Sequence, residues 1–269
     1  MKMMQQEKKS IGEIFSLEGK VILLTGAEGH LGSVMRKGLL NCGAIVVSVD
    51  IHCSSGMPDE IENHRYMQCD LSKPDAVRVL FQNVYQSLGA IDILINNAAY
   101  GGGAGGKGVS KAPESIEDQQ WLSGIDGTLN VTYRCIREVV PCMHQGSSII
   151  NIASMYGIVS SDPGLYGDSG LQSPPMYGAG KAGIIQLSRY FAAHLANRGI
   201  RVNAVSPGPF PNENTLKKTD FAHRLAEKTM LKRTGRPEEL LGAVILLASD
   251  ASSYITGSNI VVDGGWTAW

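Results

Sequence analysis

The chain has little that would commit it to a specialised environment. Aromatic residues make up 6% of its 269 positions, charged residues 18%, and the two signs nearly cancel to a net charge of -1. That balance excludes a general nucleic-acid binder, which shows a basic excess. Five cysteines are present (Cys42, Cys53, Cys69, Cys135 and Cys142), an odd number with no C-x-x-C pair. Reduced and mostly buried cysteines are therefore expected, rather than a disulfide framework. No residue is assigned to a metal. No apolar run approaches the ~20 residues of a membrane helix. The opening MKMMQQEKKSIGEIF lacks the apolar stretch of a secretory signal, so a cytoplasmic protein is expected.

What is present is a repeated alternation. Short β-branched and apolar runs fall at 21–25, 44–50, 65–70, 91–97, 147–153, 200–206 and 258–264. Runs of this kind suit strands buried on both faces. Segments with helical spacing lie between most of them, at 31–42, 73–88, 116–143, 177–198 and 237–249. The pattern predicts right-handed βαβ units, and so an α/β fold with one doubly wound parallel sheet and helices on both faces. No repeat or linker divides the chain, so residues 1–269 are expected to form a single domain. Residues 1–16 would be an N-terminal extension.

Two segments read as loops. AAYGGGAGGKGVSKAP (98–113) is dominated by glycine, and VSSDPGLYGDSGLQSPP (159–175) is dense in Gly, Pro, Ser and Asp. Both follow strands. In an open parallel sheet, loops beyond the carboxyl ends of strands are where ligands bind. The alternative is a pair of surface insertions without function.

TGAEGHLG (25–32) lies between the first strand and the first long helix. Glycines in such a turn let backbone N–H groups approach a pyrophosphate, and the helix N-terminus adds a favourable dipole. Asp50 ends the next strand 18 positions beyond Gly32, close to the ~20 expected of the acid that binds the adenosine ribose. Its carboxylate would accept from ribose hydroxyls and repel a 2′-phosphate. Glu28 adds negative charge, and no Arg or Lys stands in the turn or in IHCSSG (51–56). NAD is therefore the expected cofactor, in preference to NADP. Asp70, at the end of the following strand, could contact the adenine edge or cap the next helix. His30 could donate to a phosphate or merely be tolerated there.

Further on, Tyr177 and Lys181 stand four apart in MYGAGKAG, hence on one helix face. A nearby ammonium favours a phenolate and lowers the tyrosine pKa. Gly178, Ala179 and Gly180 leave room for a nicotinamide ring. Ser154 follows the strand IINIA, where its hydroxyl could bind a substrate oxygen.

Over nearly its full length the chain resembles the short-chain dehydrogenases/reductases. The residues that carry the likeness are TGAEGHLG (25–32), NNAA (96–99), INIAS (150–154), YGAGK (177–181), RVNAVSPG (201–208) and SSYITGSNIVVDGG (252–265). The resemblance implies a Rossmann-type sheet of about seven parallel strands and a nicotinamide cofactor. It implies Tyr177 as general acid/base, Lys181 as its partner and ribose ligand, and Ser154 as substrate-orienting donor. Cofactor contacts are implied at Gly26, Glu28, Gly29, His30, Leu31, Asp50, Asp70, Leu71, Asn97, Ala98, Ala99, Pro207 and Gly208, with Asn96 also lying against the cofactor. A homo-oligomer, dimer or tetramer, is implied as well.

The chain departs from the family pattern in two places. Thr128 occupies the position of a frequent catalytic asparagine, with Asn130 two residues off. Ser154 and Tyr177 are 23 positions apart, against roughly a dozen usually, and the added residues form the second loop. Residues 209–236 take the place of the substrate lid. Their surplus of Lys and Arg fits either an anionic substrate or a solvated amphipathic helix. The loop's polarity points to a polyol, sugar or sugar-derived substrate, as in polyol, sugar-acid or surface-glycan oxidoreductases. The glycine spacing at 26, 29 and 32 keeps a nucleotide-sugar epimerase or dehydratase as a rival. Thr128 keeps a non-catalytic cofactor sensor.

Overall fold

The computed structural model describes residues 9–52, 60–100, 113–167 and 172–269, with Glu60–Ile61 placed as backbone. Residues 101–112 and 168–171 of the two predicted loops, residues 1–8 of the extension, Cys53, and residues 54–56 after Asp50 lie outside the described residues.

After a short helix α1 (Ile11–Phe15), the chain forms β1 (Val21–Thr25), α2 (His30–Asn41), β2 (Ile45–Asp50), β3 (Glu60–Ile61) and β4 (His64–Gln68). Next come α3 (Pro74–Leu88), β5 (Ile93–Asn96), α4 (Asp118–Ile125), α5 (Val131–Val139), β6 (Ser148–Ile152) and α6 (Pro175–Leu195). β7 (Arg201–Pro207), α7 (Glu213–Leu216), α8 (Thr219–Lys228), α9 (Leu241–Ala248) and β8 (Asn259–Val262) complete it. The sheet runs β3-β4-β2-β1-β5-β6-β7-β8. Its seven longer strands are parallel and are the seven expected from the sequence; β3 adds an antiparallel edge against β4.

The apolar runs are continuous because both faces are covered. Ile22, Leu24, Val46, Ile93, Ile95, Ile150 and Ile152 pack with Met35 and Leu39 of α2 and Val244 and Leu247 of α9. The alternate positions Leu23, Val47, Val49, Leu94 and Ile149 turn to α3, α5 and α6, where Phe81 and Ile136 are fully enclosed. Each such side chain contributes about 1.5–3 kcal/mol by leaving water. Among the described residues no helix is long and apolar enough to cross a membrane.

One expected helix is interrupted. The 116–143 segment divides into α4 and α5 around a π-helical turn at Asp126–Asn130, where the Val131 N–H reaches back to the Asp126 carbonyl. The cause is packing against Tyr100. Its backbone N–H donates to the Gly127 carbonyl at 3.0 Å, and a side chain at 127 would collide with the Tyr100 carbonyl. Arg134 and the Tyr100 hydroxyl both bind the Asp126 carboxylate and hold the turn open.

The strand order reverses between β1 and β5: the chain leaves β1 towards β2 and β4 on one side, and β5 starts the other half. The crevice for a ligand lies beyond the carboxyl ends of these two strands.

Candidate active site

The turn after β1 is held shut by short-range bonds. The Thr25 hydroxyl accepts from the Asn97 and Ala98 N–H groups at 3.0 and 3.1 Å, and Asn97 Nδ2 donates to the carbonyls of Thr25 and Gly26 at 3.1 and 2.9 Å. Gly26 has φ +65°, and a Cβ there would lie 2.8 Å from the Ala98 Cα. A side chain at Gly32 would strike the Gly26 carbonyl. Gly29 is different. Its φ of -65° is open to any residue, and it serves as the N-cap of α2. The turn is thus a cradle of bare backbone at a helix N-terminus, which fits a dinucleotide pyrophosphate. His30 opens α2 and is exposed, whereas Leu31 packs into the core on the α2 face.

Asp50 is already engaged. Its carboxylate accepts from the Glu28 N–H at 3.0 Å and the His52 N–H at 3.3 Å, which fixes it beside the turn. Asp70 accepts from the Ser72 N–H at 2.9 Å, and hydrogen bonds from the Ser72 side chain and then its backbone hold the Asp70 carboxyl below the usual range. The backbone bond closes the loop before α3, whose N-cap is Lys73 without a side-chain cap, so Asp70 does not cap the helix. Leu71 is a core residue packed near Phe81, so only its backbone is left for a ligand. Asn96 departs from expectation: its side chain turns into the sheet–helix interface. Nδ2 donates to Asn151 Oδ1 at 2.8 Å, Asn151 in turn donates to Ser188 on α6 at 2.9 Å, and Asn96 Oδ1 is buried without a protein partner.

Pro174 and Pro175 start α6, which places Tyr177 in its first turn and Lys181 one turn further on. Ser154 follows β6 at the head of a short 3-10 turn. Its oxygen accepts from the Tyr156 N–H at 3.1 Å, which leaves its proton to bond to the Tyr177 phenol. Lys181 Nζ donates to the Ile152 carbonyl at 2.6 Å and stands 5.7 Å from the Tyr177 ring centroid. The three predicted residues are therefore brought together at the carboxyl end of β6.

The electrostatics differ from the sequence expectation. Burial drives the Tyr177 phenol above its ordinary value, and the Ser154 hydrogen bond opposes this without overcoming it. Burial alone pulls Lys181 down, to about 8. The lysine is held by a carbonyl rather than by the phenol, so burial outweighs its influence on Tyr177. The space beside the small residues of α6 is also not vacant. A Cβ at Gly180 would lie 2.8 Å from the Thr128 Cβ, and one at Gly178 would lie 3.0 Å from the Tyr156 carbonyl. These glycines admit neighbouring protein, not a nicotinamide ring.

Thr128 is buried in the π-helical turn and its hydroxyl donates to the Gly124 carbonyl at 2.8 Å. Asn130 is exposed and donates to Asp126, so it does point away from the site. At the end of β7, Pro207 pairs in register with Val262, and a side chain at Gly208 would meet Asp263.

An apolar cover that the sequence did not disclose closes over Tyr177. Met155, Tyr156, Leu165, Leu225 and Trp266 pack around it, with Tyr166 and Phe221 at the margin. Tyr156 meets Trp266 edge-on at 6.4 Å, and burial and Tyr166 push its phenol far up. The cover is assembled from the turn after β6, the second loop, α8 and the segment after β8. Two basic residues of 209–236 serve this closure and others pair elsewhere. Lys228 pairs with Asp162 at 2.5 Å, Arg224 donates to the Leu165 carbonyl at 2.7 Å, Arg233 makes two 2.7 Å bonds to Glu239, and Lys232 lies 3.4 Å from Glu227. The charges of Lys228, Lys232 and Arg233 are thus paired within the protein, which favours the alternative that needs no anionic substrate.

A family model described as enoyl-(acyl carrier protein) reductase matches residues 31–267. The chain belongs to the short-chain dehydrogenase/reductase family. It is 32% identical to a 2-dehydro-3-deoxy-D-gluconate 5-dehydrogenase of Pseudoalteromonas atlantica (94% of this chain, 98% of the relative). It is 31% identical to a D-threitol dehydrogenase of Mycolicibacterium smegmatis (98% and 99%) and 30% identical to a 3beta-hydroxysteroid dehydrogenase of Mediterraneibacter gnavus (93% and 95%). A short-chain dehydrogenase from Leptospira borgpetersenii with bound NAD+ superposes with a TM-score of 0.82 at 28% identity, covering 99% of each chain. The Pseudomonas aeruginosa RhlG/NADP active-site complex does so at 0.79 and 27%, covering 95% of this chain and 99% of that one. Like its family, the chain is an oxidoreductase acting on hydroxyl groups.

Proposed function

We propose that this protein interconverts a secondary alcohol and a ketone with NAD(H), on an uncharged polyol, sugar or sugar-derived substrate. The observation that carries the proposal is the Ser154–Tyr177–Lys181 cluster, seated beside the glycine cradle and under an aromatic cover. Gly26, Gly32, Asp50 and Lys181 would hold the nucleotide. When bound, the nicotinamide supplies or accepts the hydride. Tyr177 gives or takes the proton at its hydroxyl, and Ser154 orients the substrate oxygen against it. The apolar cover excludes water, which strengthens both contacts.

Asp50 and Glu28 support NAD(H) over NADP(H), because two carboxylates face the place where a 2′-phosphate would lie. Solved relatives carry either nucleotide, so the preference rests on these two residues. The polar residues of the second loop suit a hydroxylated substrate, and paired lid cations suit a neutral one. Polyol and sugar-acid dehydrogenases among the relatives agree with the first point. Residues 209–236 act as the lid. Exposed Leu122, Tyr133 and Tyr190 on α4, α5 and α6 support a homo-oligomer, dimer or tetramer, measurable by light scattering.

Tyr177→Phe tests the proposal. Turnover is expected to vanish while NADH binding, followed by fluorescence, survives. Undiminished turnover would refute the assignment. A screen of neutral polyols with NAD+ should find a substrate. NAD+ binding with no turnover of any polyol or sugar would favour the sensor reading.

A further inference from the structure

Arg36 stands on α2 and is 7% exposed. A guanidinium removed from water this far needs an anion beside it. That anion is Glu28, from the nucleotide turn itself. Its Oε1 accepts from Arg36 Nη1 and also from the Tyr66 hydroxyl. Tyr66 lies beneath the guanidinium, its ring centroid 5.2 Å from the Arg36 Cζ. His64 meets the Tyr66 ring edge-on at 4.5 Å and pairs through Nε2 with Ser48 at 2.9 Å. Ser48 and Tyr66 are register partners on β2 and β4. The network therefore continues from the turn across both strands that carry the adenosine side of the crevice.

Its position gives it a use. The backbone N–H of the same Glu28 donates to Asp50, the residue expected at the adenosine ribose. A guanidinium and a phenol hydroxyl converging on one carboxylate oxygen are also the donors that would hold a phosphate. The site is already filled, by a group that cannot leave.

We propose that Glu28 excludes NADP(H) by occupancy: it fills from within the chain an Arg36–Tyr66 anion site that would otherwise accept the 2′-phosphate. The proposal rests on the NAD(H) reading above and adds to it a latent cation beneath the two carboxylates. Nucleotide choice is then set by a pair of residues on the turn and helix, together with Asp50.

The test measures the dissociation constants of NAD+ and NADP+ by calorimetry on the full chain. Asp50→Ser serves as background, because it removes the direct repulsion at the ribose. Adding Glu28→Gln is expected to lower the NADP+/NAD+ ratio by about tenfold or more, the worth of a charge-assisted contact. Adding Arg36→Met as well should return the ratio to the Asp50→Ser value. An equal fall with or without Arg36 would mean that Glu28 acts by repulsion alone, and would overturn the proposal. An unchanged ratio in Asp50→Ser/Glu28→Gln would also overturn it. If that double variant does not fold, Asp50→Ser/Arg36→Met decides. The ratio should then stay put, since Glu28 already occupies the guanidinium; a rise would show that Arg36 attracts the phosphate without being released. A wild-type preference for NADP+ would instead refute the NAD(H) reading, and the variant series would still report on Arg36.

Discussion

Lys181 is only 5% exposed, and burial has brought its amine from 10.5 down to about 8. At neutral pH the protein therefore holds a proton that it would shed more readily than a lysine in water would. The difference is about 2.5 pH units, and at ~1.36 kcal/mol each it costs roughly 3 kcal/mol of stability. Lys181→Met removes that cost and keeps a straight, flexible side chain of similar length. It also removes the 2.6 Å donor to the Ile152 carbonyl, a loss of about 1 kcal/mol. The variant should be more stable than wild type by about 2 kcal/mol at pH 7, a rise of roughly 4–8 °C in Tm for a chain of this size.

The pH dependence separates this mechanism from better packing. The folded pKa lies below the unfolded one, so between about 8 and 10.5 the unfolded chain binds the extra proton. Wild-type stability from this group therefore rises with pH across that window and is constant below it. The advantage of Lys181→Met should hold from pH 6 to 7.5, shrink above 8, and reverse slightly near 10.5 as the lost hydrogen bond dominates. Urea denaturation of both proteins without nucleotide, at pH 7 and 10, measures it. A variant less stable at pH 7, or an advantage that does not change with pH, would refute the reasoning. Turnover should be lost in either case, which would make Lys181 a residue that trades stability for function.

Further outcomes follow from the same geometry. Thr128→Val deletes a hydroxyl already committed to the Gly124 carbonyl, so kcat should stay within a few-fold and stability should fall by about 1 kcal/mol; a kcat loss of a hundredfold would restore Thr128 to the proton path. Because the Tyr177 phenol is raised, oxidation, which needs its deprotonated form, should gain about tenfold in kcat/KM per pH unit from 7 to 9 without a plateau. A plateau below pH 8 would mean that the phenol is not raised when substrate binds. Gly32→Ala should cost about 1–3 kcal/mol in melting experiments and weaken nucleotide binding, since the new methyl strikes the Gly26 carbonyl; unchanged NADH affinity would mean that the turn tolerates displacement.

What the sequence disclosed and what it hid divide along a physical line. Interactions local in the chain were legible. Continuous β-branched runs gave away the two-sided sheet, and the four-residue spacing of Tyr177 and Lys181 survives because a helix enforces it. Interactions that depend on which side chains meet across elements were not. The π-helical turn at 126–130 exists because Gly127 lies against Tyr100, 27 positions earlier, and two close glycines, Gly124 and Gly127, were its only local sign. The cations of 209–236 left an anionic substrate and a solvated helix both open, and the pairing of Lys228 with Asp162 and of Arg233 with Glu239 favours the second. Conversely, the absence of Arg or Lys from the turn and from the residues after Asp50 suggested that no cation lay near the ribose. Arg36 reaches Glu28 from the next turns of α2, and the Tyr66 hydroxyl, from a strand beyond β2, joins the contact. A net charge read along the chain therefore describes this crevice poorly, because Arg36 and Glu28 already hold one another.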